Sequence, residues 1–478
     1  MVGVVTAGRL AAFARPGFPV FFAGHLASQL GSAMTPLALA FTALDISGSL
    51  SDLSLVMASR ILPVVLMLPI GGVLGDRLPR RALMMAADCL RASALALLAV
   101  LCATGRLELW SLVALTVLSG AGEAFFRPAY EGTAPLLVPR DALPDANALL
   151  GLAFSAATIA GPALSGALVA LGSPAWGLSA AAGAYLLTVL LLFFLPPVDA
   201  RGTGPASSYL SDLRYGWREF TARPWVCTLT AYGALFNLLV WGPYLVLGPA
   251  SADREYGGAG DWGAVMALYG VGAVCGGLLV LGRRPAGPLV VAVACGFATV
   301  APPAALAFTA PLPVVCAAAA LAGVGIAVNM SLWMTTVQHH VPLDSLSRVN
   351  SYVTMGAFVG GPVGMALAGP VAESVGVVGV LGFAAVFQLL LCATVLALPA
   401  VRAVRWETAP ASASSADRAT QKPEPPAPPE PPALPQQNPP ARPARDSLPR
   451  QGPPLRPDPT PPRDPGQSPN HRPSRDPQ

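Results

Sequence analysis

Charge is scarce in this sequence. Of 478 residues only 11% are Asp, Glu, Lys or Arg, where a soluble protein carries about 25%. The sole lysine is Lys422, a bias that points to a GC-rich, bacterial genome. A formal net charge of +4 is too small and too dispersed among loop arginines to imply a nucleic-acid partner. The seven cysteines (Cys89, Cys102, Cys227, Cys275, Cys295, Cys316 and Cys392) sit in apolar runs without C-x-x-C spacing. They read as small buried residues, not as disulfides or metal ligands. No nucleophile–base set and no His/Cys/Asp/Glu cluster stands out, so neither an enzyme nor a resident cofactor is expected. The N-terminus has arginines but no short apolar core with a cleavage site, so the first apolar run is expected to be a retained helix.

What the chain has in quantity is apolar length. It is 54% hydrophobic, with a mean hydropathy of +0.57. Runs of ~20 apolar residues, enough to cross a bilayer as a helix, recur twelve times. In the first half they fall near 18–43, 52–74, 82–103, 109–130, 146–171 and 175–196. In the second they fall near 225–248, 262–282, 287–309, 312–335, 349–371 and 376–399. The expected fold is an all-α membrane protein of about twelve spans. Its divisions would be an N-terminal bundle of six helices over 1–196, a polar linker over 197–224, a second bundle over 225–400 and a tail over 401–478.

Charge sorts on this count. Arg9, Arg15, Arg77, Arg80, Arg81, Arg140, Arg201, Arg214, Arg218, Arg223, Arg283, Arg284, Arg348, Arg402 and Arg405 fall on one side. The other side has Arg106 and Arg254 with the acids Asp45, Asp52, Glu108, Asp253, Glu255, Asp261 and Glu373. The positive-inside rule makes the first side cytoplasmic and predicts a multi-pass protein of the inner (plasma) membrane with both termini in the cytoplasm.

The halves repeat in parallel. Gly120 and Gly323 lie 203 positions apart, and the same offset relates Gly122 to Gly325, Thr133 to Thr336, Pro139 to Pro342, Asp141 to Asp344, Asn147 to Asn350 and Gly161 to Gly364. An even number of helices per half lets two such repeats share one orientation, as in transporters built from two bundles. In the linker, Leu210, Leu213, Trp217 and Phe220 form a stripe at helical spacing, which predicts a short amphipathic helix on the membrane face. The proline-rich tail lacks the apolar residues needed to fold and is expected to be disordered.

Polar residues inside spans cost ~2.5–3.5 kcal/mol for a central charge, so those present are site candidates. His25, Gln29 and Ser32 share a face of the first span. Asn237, Trp241 and Tyr244 share one of the seventh, and Asn329 and Trp333 one of the tenth. Glu123 and Arg127, four apart in the fourth span, are expected to pair and are the candidates for proton coupling. Arg60 needs a counter-charge, for which Asp45 or a cavity carboxylate would serve. Asp88 and Arg91 are expected to pair with the loop arginines.

One turn concentrates charge between two spans: Gly71-Gly72-Val73-Leu74-Gly75-Asp76-Arg77-Leu78-Pro79-Arg80-Arg81. It resembles the G-x-L-x-D-R-x-G-R-R loop of the major facilitator superfamily, through Gly72, Leu74, Asp76, Arg77, Arg80 and Arg81, with Pro79 in place of a glycine. Gly161-Pro162…Gly166 is similar to the glycine-proline motif of antiporter branches. Glu123-Ala124-Phe125-Phe126-Arg127-Pro128, Leu137-Val138-Pro139-Arg140-Asp141 and Asp145-Ala146-Asn147-Ala148-Leu149 resemble the branch that includes enterobactin exporters and macrolide-efflux proteins. The resemblance implies two bundles whose first, fourth, seventh and tenth helices line a central cavity. It also implies that Gly72, Asp76, Arg77, Arg80 and Arg81 act as a cytoplasmic gate. The implied function is secondary active export of a small, partly hydrophobic molecule by alternating access, with a proton as coupling ion, working as a monomer in the bilayer. The arginine of the R-x-x-x-G-x-G pattern found in many proton-coupled antiporters is replaced here by Thr116, so Glu123 with Arg127 is the expected substitute. A nutrient or siderophore importer, and a scaffold or sensor acting through the tail, are the alternatives.

Overall fold

The computed structural model describes residues 11–139, 141–196, 217–341 and 343–405, with the backbone alone at 11, 14, 68–77, 343–348 and 358. Asp76, Arg77 and the glycines of the charged turn, Leu210 and Leu213 of the linker stripe, and the tail beyond 405 lie outside the described side chains.

Among the described residues, twelve helices are long and apolar enough to span a membrane. We number them α1 (Phe18–Ser47), α2 (Leu50–Arg77), α3 (Arg80–Ala103), α4 (Leu109–Leu137), α5 (Leu143–Leu171) and α6 (Pro174–Phe193). The second half comprises α7 (Pro224–Glu255), α8 (Ala259–Val280), α9 (Pro288–Ala307), α10 (Leu312–His340), α11 (Leu343–Val375) and α12 (Val377–Ala397). No strand occurs among the described residues. Several helices outrun the apolar stretches that mark them. The fourth, expected to stop near 130, continues to Leu137, and the seventh runs to Glu255. Their extra turns carry polar residues that hydropathy discounts but that still close backbone hydrogen bonds.

Local chemistry sets the ends. Proline occupies one of the first two positions of α1, α5, α6, α7, α9 and α10, where its missing N–H has no helical partner to lose. At the end of α1, Gly48 takes φ 64° and returns its N–H to the Leu44 carbonyl, a left-handed cap that glycine adopts without a Cβ clash. Two helices are irregular. In α7, residues Asn237–Trp241 form a π turn, with the Gly242 N–H reaching the Asn237 carbonyl five residues back. In α9, Phe297–Val300 tightens to a 3₁₀ turn.

The connections sort the charges by end. Asp45, Asp52, Glu108, Asp253, Asp261 and Glu373 lie at one end of the spans, here the acidic end. Arg15, Arg80, Arg81, Arg218, Arg223, Arg283, Arg284, Arg402 and Arg405 lie at the other, the basic end.

The halves meet along α2 with α11 and along α5 with α8. Small residues bring the backbones together. A Cβ on Gly166 would lie 2.6 Å from the Ala259 carbonyl, and one on Gly263 would lie 2.7 Å from that of Pro162. Gly161 packs in the same way on Ala33 of α1. Hydrogen bonds join the halves at the acidic end. The Glu373 carboxylate accepts from the Ser51 hydroxyl at 2.7 Å, the Ser51 N–H at 3.0 Å and the Ser49 hydroxyl at 3.2 Å. The Gly369 N–H donates to Ser54 Oγ at 2.6 Å nearby.

The linker stripe is described only in its last members. Trp217 rests on Phe220 at 5.7 Å and meets Tyr352 of α11 edge-on at 5.5 Å.

Candidate functional site

Between the halves lies a cavity of about 350 Å³. Its first-half wall is built by α1, α2, α4 and α5. Gln29 and Ser32 face it from α1, Arg60 from α2 and Glu123 from α4. Arg60 Nη2 donates to Glu123 Oε2 at 2.7 Å and to Ser32 Oγ at 3.4 Å. Gly120 makes this approach possible, because any Cβ there would collide with the Arg60 carbonyl. The Glu123 side chain retains 30% of its exposure while that of Arg60 retains 10%, so the carboxylate is the more open member of the pair. The opposite wall is aromatic: Trp241 of α7 with Trp262 and Tyr269 of α8.

A second cavity of about 220 Å³ lies within the second half. Asn237, Asn329 and Trp333 line it, and Trp241 and Tyr269 line both cavities. The rings of Trp241 and Tyr269 are 5.3 Å apart and form the partition between the two spaces. Tyr244 lines neither. It is buried beneath the partition, 5.6 Å from the Trp241 ring and 5.4 Å from Trp262, and so supports the tryptophans. It shares a face with Asn237 and Trp241 by helical count, but the π turn adds a residue to the hydrogen-bonded ring and rotates the next turn of the helix.

Three further expectations are corrected. Glu123 does not pair with Arg127: α4 turns Arg127 outward, where it donates to Glu131 at 3.0 Å with both side chains largely exposed. The counter-charge of Arg60 is accordingly Glu123. His25 is buried away from the cavity and stacks at 4.0 Å on Tyr130, whose ring also meets Phe21 and Phe126. Asp88 and Arg91 pair with each other, one turn apart on α3, while Arg80 and Arg81 of the loop bond backbone carbonyls. Arg91 also donates to Ser28 of α1 at 3.1 Å and lies over the rings of Tyr185 and Phe126, at 4.3 and 4.6 Å. Gly122 leaves it room, since a Cβ there would sit 2.7 Å from Arg91 Cγ. The i, i+3 spacing of Asp88 and Arg91 was the available signal for this pair.

Of the gate residues, Arg80 donates to the Gly132 carbonyl of α4. Arg81 donates to the Phe193 carbonyl at the end of α6 at 2.5 Å and lies over the Phe193 ring. The Phe193 carbonyl, last in its helix, lacks a helical donor and Gly132 lies inside α4, so the two bonds tie three helices of the first half together at the basic end. Pro162 lines the first cavity, and Gly161 and Gly166 serve the close packing described above. No group able to hold a metal occurs among the described residues.

Residues 7–424 match the family model described as "Transmembrane secretion effector". The chain is 26% identical to the "Multidrug efflux pump Tap" of Mycolicibacterium fortuitum over 401 residues, 80% of this chain and 96% of that one. It is 30% identical to the "Enterobactin exporter EntS" of Shigella boydii over 354 residues, 72% of this chain and 82% of that one. Among solved structures, a bacterial homologue of the lysosomal transporter Spinster superposes with a TM-score of 0.63 at 14% identity, covering 82% of this chain and 98% of the other. The nucleoside transporter NupG does so with a TM-score of 0.61 at 13% identity, covering 79% and 98%. The chain is therefore a transporter of the major facilitator superfamily, in its transmembrane secretion effector family.

Proposed function

We propose that this transporter exports a small, partly hydrophobic molecule by alternating access, in exchange for protons. The observation that carries the reading is the Arg60–Glu123 pair on the wall of a cavity between the halves, faced by Trp241, Trp262 and Tyr269. A carboxylate that can leave an arginine for a proton or a substrate group couples the two bindings. Aromatic rings opposite give an apolar molecule its area and a cation an electrostatic partner. The efflux pump and the enterobactin exporter among the relatives support the outward direction.

The organisation follows from charge. The positive-inside rule supports a cytoplasmic basic end and cytoplasmic termini. The clasp of Glu373 on Ser49 and Ser51, with the Gly166–Gly263 crossing, then closes the outer side. This is the inward-facing state in which an exporter loads. Six-helix units over 1–196 and 225–400 would rock about the cavity, tied by the linker over 197–224, with 401–478 as a tail. Asp76, with Gly72, Arg77, Arg80 and Arg81, would latch the basic end when the halves reverse. The protein would work as a monomer in the plasma membrane.

The test is accumulation of dyes, macrolides and siderophores in an efflux-deficient host, with and without a protonophore. Reduced accumulation of a compound, restored by the protonophore, is the expected result. Increased accumulation on expression would reverse the direction and favour an importer.

A further inference from the structure

One wall of the first cavity is placed by a side chain that α7 lacks. Trp262, in the opening turn of α8, lines the cavity although only 4% of it is exposed. Gly248 of α7 is buried against its ring. A Cβ on Gly248 would collide with Cη2 of the indole and lie 2.6 Å from both Cζ2 and Cζ3, where an ordinary contact needs 3.4 Å or more. The six-membered part of the ring therefore sits in a notch that glycine alone leaves open. Tyr244, one turn earlier on α7 and itself buried, packs on the same ring at 5.4 Å. The backbone of α8 is held at this level too. Its next residue, Gly263, crosses α5 so closely that a Cβ there would lie 2.7 Å from the Pro162 carbonyl. The open space beside the indole is the cavity, which Leu245 and Pro249 line from the same stretch of α7. Glycine inside a helix costs ~1 kcal/mol relative to alanine and calls for a packing reason. At position 248 the reason is the indole.

We propose that Gly248 is a positioning residue that sets the size limit of the transported molecule: it seats Trp262, and the seated ring bounds the cavity. Gly248 lies behind the wall and acts through the indole. Protein interiors pack at the density of organic crystals, so a methyl group added at 248 has no void to enter. It displaces the ring toward the cavity and takes room from its volume of about 350 Å³. Withdrawing the ring returns that room. A molecule that fills the cavity meets the limit, and a small one does not. The inference rests on this cavity being the substrate site, but its test reads the room in the cavity and requires neither transport nor a known substrate.

The reporter position is Met266, one turn along α8 from Trp262 and also on the cavity wall. Met266→Cys is introduced into the full-length protein with its seven native cysteines replaced by alanine, and the protein is purified in detergent. Its labelling rate is measured with two uncharged reagents, N-ethylmaleimide, which is small, and N-(1-pyrenyl)maleimide, which is bulky. Gly248→Ala should slow the pyrenyl reagent by roughly tenfold, the penalty of an overpacked contact, and leave the small reagent within about twofold, a shift too small to reflect such a contact. Trp262→Leu should speed the pyrenyl reagent. Adding Gly248→Ala to Trp262→Leu should then change neither rate, because the group through which Gly248 acts is gone. Equal slowing of both reagents by Gly248→Ala would mean a general distortion and refute the proposal. An unchanged pyrenyl rate refutes it as well, as does the same slowing with Trp262→Leu present. Where Gly248→Ala alone does not accumulate as folded protein, the double variant decides. Accumulation equal to that of Trp262→Leu supports the seat, and failure in both refutes it. Protonophore-sensitive export alongside a refuted seat leaves the export reading standing. Absent export with the labelling pattern intact removes that reading and leaves the size limit as a property of the cavity.

Discussion

Glu123 takes Arg60 as its partner and leaves Arg127 to Glu131, and the three arginines of this region consequently have different worth. Arg127 and Glu131 are an exposed i, i+4 pair, a kind that contributes ~0–1 kcal/mol. Arg127→Ala should leave thermal stability and transport nearly unchanged. Arg91 is enclosed by Asp88, Ser28, Phe126 and Tyr185. Removing one partner of a buried pair strands the other charge and costs ~3–5 kcal/mol. Arg91→Met should therefore lower the melting temperature far more than Arg127→Ala, and the double variant Asp88→Asn/Arg91→Met should recover part of the loss. Thermal unfolding in detergent, monitored with a thiol-reactive or intrinsic fluorophore, compares the three. Arg60 stands between these cases, buried yet facing a cavity. The sequence marked Glu123 and Arg60 as costly charges within spans, and it left open which acid Arg60 meets. Helical spacing names only neighbours on one helix, and the pairing crosses from α2 to α4, where packing of Gly120 on the Arg60 backbone decides it.

At the scale of helices, the acidic end is held by a clasp of few parts. Glu373 on α11 gathers two serines at the start of α2, and the Gly369 N–H bonds Ser54 one turn deeper. Loss of those acceptors removes polar contacts at a seam that must part if the halves reverse. Glu373→Ala should shift the population toward the state open at the acidic end. A cysteine placed at Thr158, which lines the first cavity, should then react faster with a membrane-impermeant thiol reagent applied from that side. Gly166→Val should act in the same direction by pushing α5 off the Ala259 carbonyl. The spans themselves were legible as apolar runs, because in a bilayer each must close its own backbone hydrogen bonds and so declares its length. Their ends were less so, since last turns that bring Glu131 and Thr133 into α4, or Ser251, Asp253 and Arg254 into α7, dilute the hydropathy signal. The π turn left no mark that periodicity could find, and it is the reason Tyr244 turned into the core when Asn237 and Trp241 did not.

For the whole molecule, the repeat at 203 positions and the sorting of arginines to one side are the grounds for expecting two halves that share an orientation. The aromatic partition between the cavities was not foretold, because Trp262 and Tyr269 sit on α8, where the apolar run gave no reason to single them out. Transport should depend on the cavity and not on the proline-rich tail. Removing 406–478 is expected to leave protonophore-sensitive efflux intact, and its loss at normal protein level would turn attention to the tail as the working part. The central claim is that substrate and proton exchange at Glu123 beside Arg60. Calorimetry of binding to the purified transporter, with a compound that the accumulation assay identifies and in buffers of different ionisation enthalpy, measures this directly. If the claim holds, the wild type releases protons on binding, seen as a heat that varies with buffer, and Glu123→Gln binds without that dependence. Heats that are the same in every buffer for the wild type, or a release that persists in Glu123→Gln, would contradict it.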